Sequence, residues 1–304
     1  MSSPSLICAS VMTSGGQLKI MFQRTKVLMP SSFRVLATMP IGSVVPPKLT
    51  PQLADTAELV AYAKKLPGLH ASVLIPNLKG AERAIEAGVH SMLLPLSASH
   101  AHSLANLKRT PDEVVDDIRR IVDLRDAKGS DALVEVGLST AFGCTIQGRV
   151  DPAEVLRLVR AAREAGVDRI GLADTVGYAD PLQVKTLYER CLEVAGDKLS
   201  CGHFHDTRGL GAANVFAAWQ AGMRRFDACT GGLGGCPHAP GASGNVATED
   251  VAYLFASMGV PTGLDFDALI ALRAEVAQWL QGEPLHGAIW RAGLPKTLLN
   301  HAPA

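Results

Sequence analysis

The chain has 304 residues, 29 basic against 29 acidic side chains, a net charge of zero, 47% hydrophobic residues and 19% charged ones. That composition can bury a large core and excludes an intrinsically disordered chain. The charge balance argues against a polyanion binder, so no nucleic-acid partner is expected, and no apolar run reaches the roughly 18 residues that a membrane helix needs.

Residues 1–54 contain no Asp and no Glu, although Lys19, Arg24, Lys26, Arg34 and Lys48 lie there. Three readings fit such a segment: an organelle-targeting peptide, an apolar loop-rich structured piece, or a stretch translated out of frame before the pattern resumes near Ser43. Strands are expected within it around Leu18–Phe22 and Arg34–Ala37. From residue 70 onward one unit repeats, a short apolar or β-branched run, a turn, then an amphipathic helical stretch. The runs are Ala71–Pro76, Ser91–Leu96, Ala132–Leu138, Arg169–Ala173, Leu199–His205 and Arg225–Thr230. Helical patterns lie between them at about 79–88, 111–127, 152–166, 181–195 and 210–222, with two more at 248–258 and 266–281. Asp151-Pro152 and Asp180-Pro181 each set an N-cap before a proline at the first helical position.

Strands alternating with helices imply right-handed crossovers and a parallel sheet. Six strands from this region and two from the first 50 residues make eight, which predicts an α/β fold, a TIM (β/α)8 barrel with an irregular first strand–helix unit. A doubly wound open sheet would need a glycine-rich fingerprint after the first strand, and none is present. The expected division is an atypical segment over 1–42 and the barrel over 43–304.

Barrel chemistry sits at the C-terminal strand ends. The seventh strand ends in CGHFHDTRG, where His203 and His205 are two apart and share a strand face. They can share a divalent cation, or they can be two hydrogen-bonded side chains in the barrel mouth. The eighth strand runs into residues 230–250, a loop with six glycines that also carries Cys236 and Asn245. A thiol there is a candidate proton donor or nucleophile, and an Asn carbonyl oxygen suits a hard cation. Glu249 follows, where an acid can serve the positive end of a helix. Asp174, at the tip of the sixth strand, can orient a substrate or a metal-bound water, or simply order its loop. Ser97, Ser99, His100, His102 and Asn106 are further polar groups expected over the mouth, and Lys108 and Arg109 read as helix-flank charges that could also meet phosphates. The six cysteines, Cys8, Cys144, Cys191, Cys201, Cys229 and Cys236, form no CxxC pair. A disulfide scaffold is therefore not expected, and a reducing, cytoplasmic setting is.

Taken together, GGLGGCPHAPGASGNVATED, GHFHDTRG, LADTVG, SVVPPKLTPQLAD and EVGLSTAFGC closely resemble the hydroxymethylglutaryl-CoA lyases, over about residues 43–300. The resemblance implies retro-Claisen cleavage of 3-hydroxy-3-methylglutaryl-CoA to acetoacetate and acetyl-CoA, a step of leucine catabolism, with Mg²⁺ or Mn²⁺ as cofactor and a homodimer as the assembly. It implies metal ligation by His203, His205 and Asn245, an aspartate near the substrate at Asp174, proton donation to the departing carbanion by Cys236, and a helix acid at Glu249. It also exposes a departure. The family's first strand ends in Arg-Asp-Gly, whose Asp ligates the metal, yet the sequence contains no such tripeptide, and Pro40 stands where the family carries a Glu. The 42 residues before Ser43 keep the family's length while losing its pattern, as an out-of-frame stretch would.

Overall fold

The computed structural model describes residues 5–8, 37–44, 53–235 and 244–299. Its strands are β1 (Ser5–Cys8), β2 (Ala37–Ser43), β3 (Leu69–Leu74), β4 (Ser91–Ser97), β5 (Leu133–Ser139), β6 (Arg169–Asp174), β7 (Leu199–Phe204) and β8 (Arg225–Ala228). All pair in parallel, in the order β1-β8-β7-β6-β5-β4-β3-β2. β1 adds to β8 with Ser5 opposite Arg225 and Cys8 opposite Ala228, and it also stands beside β2, so the run curls back on itself as a barrel. The first strand is thus Ser5–Cys8, and the second begins where the expected Arg34–Ala37 run ends. Leu18–Phe22 lies outside the described residues. A four-residue run such as SLIC carries little strand signal of its own, and the edge offered by β8 supplies the pairing.

The helices are α1 (Thr56–Ala63), α2 (Leu78–Ala87), α3 (His100–Leu107), α4 (Pro111–Ala127), α5 (Pro152–Glu164), α6 (Pro181–Ala195), α7 (Gly211–Gln220), α8 (Thr248–Ser257), α9 (Phe266–Trp279), α10 (Ile289–Ala292) and α11 (Lys296–Leu299). Local chemistry sets many of their starts. Thr110 and Glu113 form a reciprocal capping box ahead of α4, with Pro111 at the first turn. Asp151 caps α5 by accepting from Ala153 N–H, and Asp180 caps α6 by accepting from Leu182 and Gln183 N–H. None of these helices is long and apolar enough to cross a membrane.

Strand alternation divides the core. Along β5, Val134, Val136 and Leu138 are buried against the helical layer, and they continue outward packing that includes Val73, Leu172 and Phe226. The opposite parity faces the barrel axis. Glu135, Gly137 and Ser139 of β5, Cys201 and His203 of β7, and Arg225 and Asp227 of β8 line an interior cavity of about 210 Å³. Period-two geometry thus turns the histidines of the seventh strand inward.

Candidate active site

His203 is the inward side chain of the fifth residue of β7, and His205 follows just past its end. Their ring centroids are 5.3 Å apart. Asn245 reaches the same place from the other side of the glycine-rich segment. Residues 245–247 run along the tips of β7 and β8: Val246 N–H donates to Phe204 C=O at 3.0 Å, and Cys229 N–H to Val246 C=O at 3.1 Å. A bridge pairs His205 with Asn245 directly. The Asn245 amide is oriented by its donors, Nδ2 giving hydrogen bonds to Leu233 C=O at 2.7 Å and Gly234 C=O at 3.3 Å. Its Oδ1 is left buried with no hydrogen-bond partner, and so is Nδ1 of His205.

Glycine is required beneath that amide. Gly234 sits at φ 95°, and a Cβ there would come within 2.8 Å of Asn245 Nδ2. At Gly244 the backbone of Gly232 already occupies the space a Cβ would take.

Burial holds the His205 imidazole down to about 3, with nearby His203 acting in the same direction, so the ring is neutral and keeps its lone pair at physiological pH. Two imidazoles and an amide oxygen, with His205 Nδ1 and Asn245 Oδ1 buried and unpartnered, are a donor set that fits a divalent cation. Among the described residues no group of three or more His, Cys, Asp or Glu side chains is placed to hold a metal ion, so no carboxylate joins these three as a ligand.

The two acids the sequence singles out lie around this cluster and are both occupied. Asp174 is fully buried at the tip of β6; Oδ1 accepts from Tyr178 N–H at 2.8 Å and Oδ2 from Ala179 N–H at 3.0 Å. Burial pushes its carboxyl up, against the pull of those backbone donors and of His203. Glu249, in the first turn of α8, accepts from Gly231 N–H with both oxygens at 3.0 and 3.1 Å. The Arg273 guanidinium of α9 stands 3.6 Å away, a charge contact longer than a hydrogen bond. Burial raises Glu249 to about 7 despite those partners. Arg273 is itself tied to His286 C=O at 3.1 Å and stacked 4.1 Å over Trp290. Cys236 lies outside the described residues.

The other polar residues expected at the mouth serve local structure. Ser97 Oγ joins His102 Nδ1 at 2.8 Å and Ser139 Oγ at 3.0 Å. Ser99 caps α3, while His100 and Asn106 are exposed. Lys108 ends α3 in the left-handed conformation and donates to Ala105 C=O, and Arg109 pairs with Asp117 at 3.3 Å.

Sequence reasoning missed Asp227. It stands in register with His203 across β7 and β8, and its Oδ2 lies 3.2 Å from His203 Nδ1. The available signal was parity, a carboxylate two residues after Arg225 on a strand whose neighbour carries the HxH pair.

Polar side chains gathered at the C-terminal tips of a parallel barrel define a TIM-barrel enzyme. The HMGL-like family profile matches residues 47–276. A hydroxymethylglutaryl-CoA lyase of Bacillus subtilis is 36% identical over 82% of this chain and 83% of its own length. An (R)-citramalyl-CoA lyase of Chloroflexus aurantiacus is 39% identical over 83% of this chain and 82% of its own. The structure of an HMG-CoA lyase from Acinetobacter baumannii with coenzyme A and 3-methylmalate superposes with a TM-score of 0.86, at 36% identity, over 96% of this chain and 95% of that one. The carboxyltransferase domain of Rhizobium etli pyruvate carboxylase shares the fold at a TM-score of 0.67 and 17% identity. The chain belongs to the HMG-CoA lyase family and is a carbon–carbon lyase.

Proposed function

We propose that the chain cleaves 3-hydroxy-3-methylglutaryl-CoA to acetoacetate and acetyl-CoA, the retro-Claisen step of leucine breakdown, with a divalent cation held by His203, His205 and Asn245. The observation that carries the metal reading is the pair of buried, unpartnered atoms, Asn245 Oδ1 and His205 Nδ1, beside His203. A cation there would supply Lewis-acid polarisation of the substrate's hydroxyl and carboxylate oxygens. Three neutral ligands without a carboxylate suit Mn²⁺ better than Mg²⁺, which favours oxygen and anionic donors.

The chain's own groups prepare that chemistry. Burial keeps His205 unprotonated, and the Leu233 and Gly234 carbonyls hold the Asn245 amide with its oxygen outward. Asp174 gathers the amides of Tyr178 and Ala179 and so fixes the loop after β6 beside the histidines. Glu249 anchors Gly231 at the start of the segment leading to Cys236. As the carbon–carbon bond breaks, the tertiary hydroxyl gives its proton to a solvent base and its oxygen becomes the keto oxygen of acetoacetate, while the bond's electron pair passes to the methylene carbon that becomes the methyl group of acetyl-CoA. The Cys236 thiol is the proposed donor of the proton that carbon takes up.

The experiment is a coupled assay of acetoacetate and acetyl-CoA release from hydroxymethylglutaryl-CoA, with Mn²⁺ and with Mg²⁺. It uses the chain as it stands and a version whose first strand carries a restored Arg-Asp-Gly. Failure of both chains with both metals refutes the assignment. Citramalyl-CoA is assayed in parallel, because the Chloroflexus relative favours that second substrate. Both compounds are tertiary-alcohol acyl-CoAs, and the ratio of their kcat/KM values decides between them.

A further inference from the structure

Asp227 is given no task by the reaction outlined above. Its side chain faces the barrel axis directly across from His203, with Oδ2 at 3.2 Å from the imidazole Nδ1. Its other oxygen accepts from the Cys201 thiol at 3.3 Å. Glu135, a carboxylate lining the same cavity, has two cations, Arg169 at 3.2 Å and Arg225 at 3.6 Å. Asp227 has no Lys or Arg within ion-pairing distance among the described residues, and its one charge-capable partner there is His203. A carboxylate taken mostly out of water needs a compensating partner, and a neutral imidazole is a weak one unless a cation lies on its far side.

We propose that Asp227 is a positioning residue for the metal centre: its carboxylate holds the proton of His203 on Nδ1, which fixes the tautomer and leaves Nε2 as the ligating nitrogen. The inference rests on the metal reading above. Its physical basis is general. A ligating imidazole whose second nitrogen donates to a carboxylate is both oriented and made more basic. Here the orientation comes from two adjacent strands in fixed register, so no loop has to order itself. Cys201 supports the arrangement from below, its thiol donating to Asp227 Oδ1 at 3.3 Å.

The test uses the full chain and Mn²⁺ as the probe, with free Mn²⁺ read by electron paramagnetic resonance. Asp227→Ala is expected to weaken Mn²⁺ binding about 10- to 100-fold. Asp227→Asn, which keeps an acceptor but no charge, is expected to fall in between and guards against an alanine variant that fails to fold. Cys201→Ala removes the carboxylate's other partner and is expected to stay within about twofold of the parent, since the contact to the imidazole is intact. A second readout needs no metal. In ¹⁵N imidazole spectra of the metal-free protein, the resonances lost in His203→Gln should report a proton on Nδ1, and Asp227→Asn should shift them toward a mixture of tautomers. Parent-like Mn²⁺ affinity in both Asp227 variants overturns the positioning role while leaving the metal reading standing, and so does an Nε2-protonated His203 in the parent. Absence of Mn²⁺ binding by the unsubstituted chain overturns both.

Discussion

Replacing Glu249 with Gln tests how the glycine-rich segment is anchored. In the folded chain this carboxylate is 1% exposed, accepts twice from Gly231 N–H and lies 3.6 Å from Arg273. Burial outweighs those partners and lifts it from an ordinary 4.5 to about 7. A raised carboxyl favours the protonated folded state, so its contribution is fully present below pH 4.5 and is lost as pH climbs to about 7. At 1.36 kcal/mol per pH unit, that gap amounts to about 3 kcal/mol. Gln keeps an acceptor for Gly231 and does not titrate. The unfolding free energy of Glu249→Gln, minus that of the parent, should therefore rise by about 3 kcal/mol between pH 4.5 and 8 and level off above. Urea titrations of the metal-free proteins at half-unit pH intervals measure this difference, and subtraction cancels every other titrating group. A difference that stays flat across that range refutes the account of Glu249 as a buried carboxyl poised near neutrality.

Other perturbations address the remaining parts of the site. Asp174→Ala strips the acceptor from two amide groups, Tyr178 and Ala179, and should cost about 4 kcal/mol in urea unfolding, with Asp174→Asn losing about half as much; an unchanged urea midpoint would show that the loop orders itself without the carboxylate. His205 is held neutral with its value near 3 against an ordinary 6.5, so the unfolded chain takes up a proton that the folded chain refuses as pH falls below 6.5. The metal-free parent should lose about 2 kcal/mol relative to His205→Gln between pH 6.5 and 5, and parallel stability curves would contradict this. His70 and His90 are lowered by burial in the same direction, and they cancel in that comparison. Gly234→Ala forces a side chain into a backbone at φ 95° and against the Asn245 amide. It should cost about 1–3 kcal/mol and weaken Mn²⁺ binding, with thermal unfolding and metal titration as the two readings; parent-like values in both would mean the amide does not depend on that glycine.

Much of this protein was readable before any coordinates. The six strands from Leu69 to Ala228, their parallel sense, α4 over 111–127 and α6 over 181–195 follow from hydrophobic periodicity and from caps such as Asp180-Pro181, signals that act within a few residues. The HxH spacing alone turned His203 and His205 to one face, because strand parity is a local property. The position of β1 was not legible, because a run as short as SLIC becomes a strand only when β8 offers an edge. Neither could the sequence separate the two possible uses of Asp174 and Glu249, an exposed acid facing substrate or a buried one holding backbone. That choice depends on which amides come within 3 Å, and those belong to Tyr178 and Ala179 for one and to Gly231, eighteen residues away, for the other. Asp227 makes the same point more sharply. Its residue type and strand were visible, but its meeting with the His203 ring depends on the register of β7 against β8. Register is set by the closure of the whole sheet, so it belongs to the tertiary structure and to no single segment of the chain.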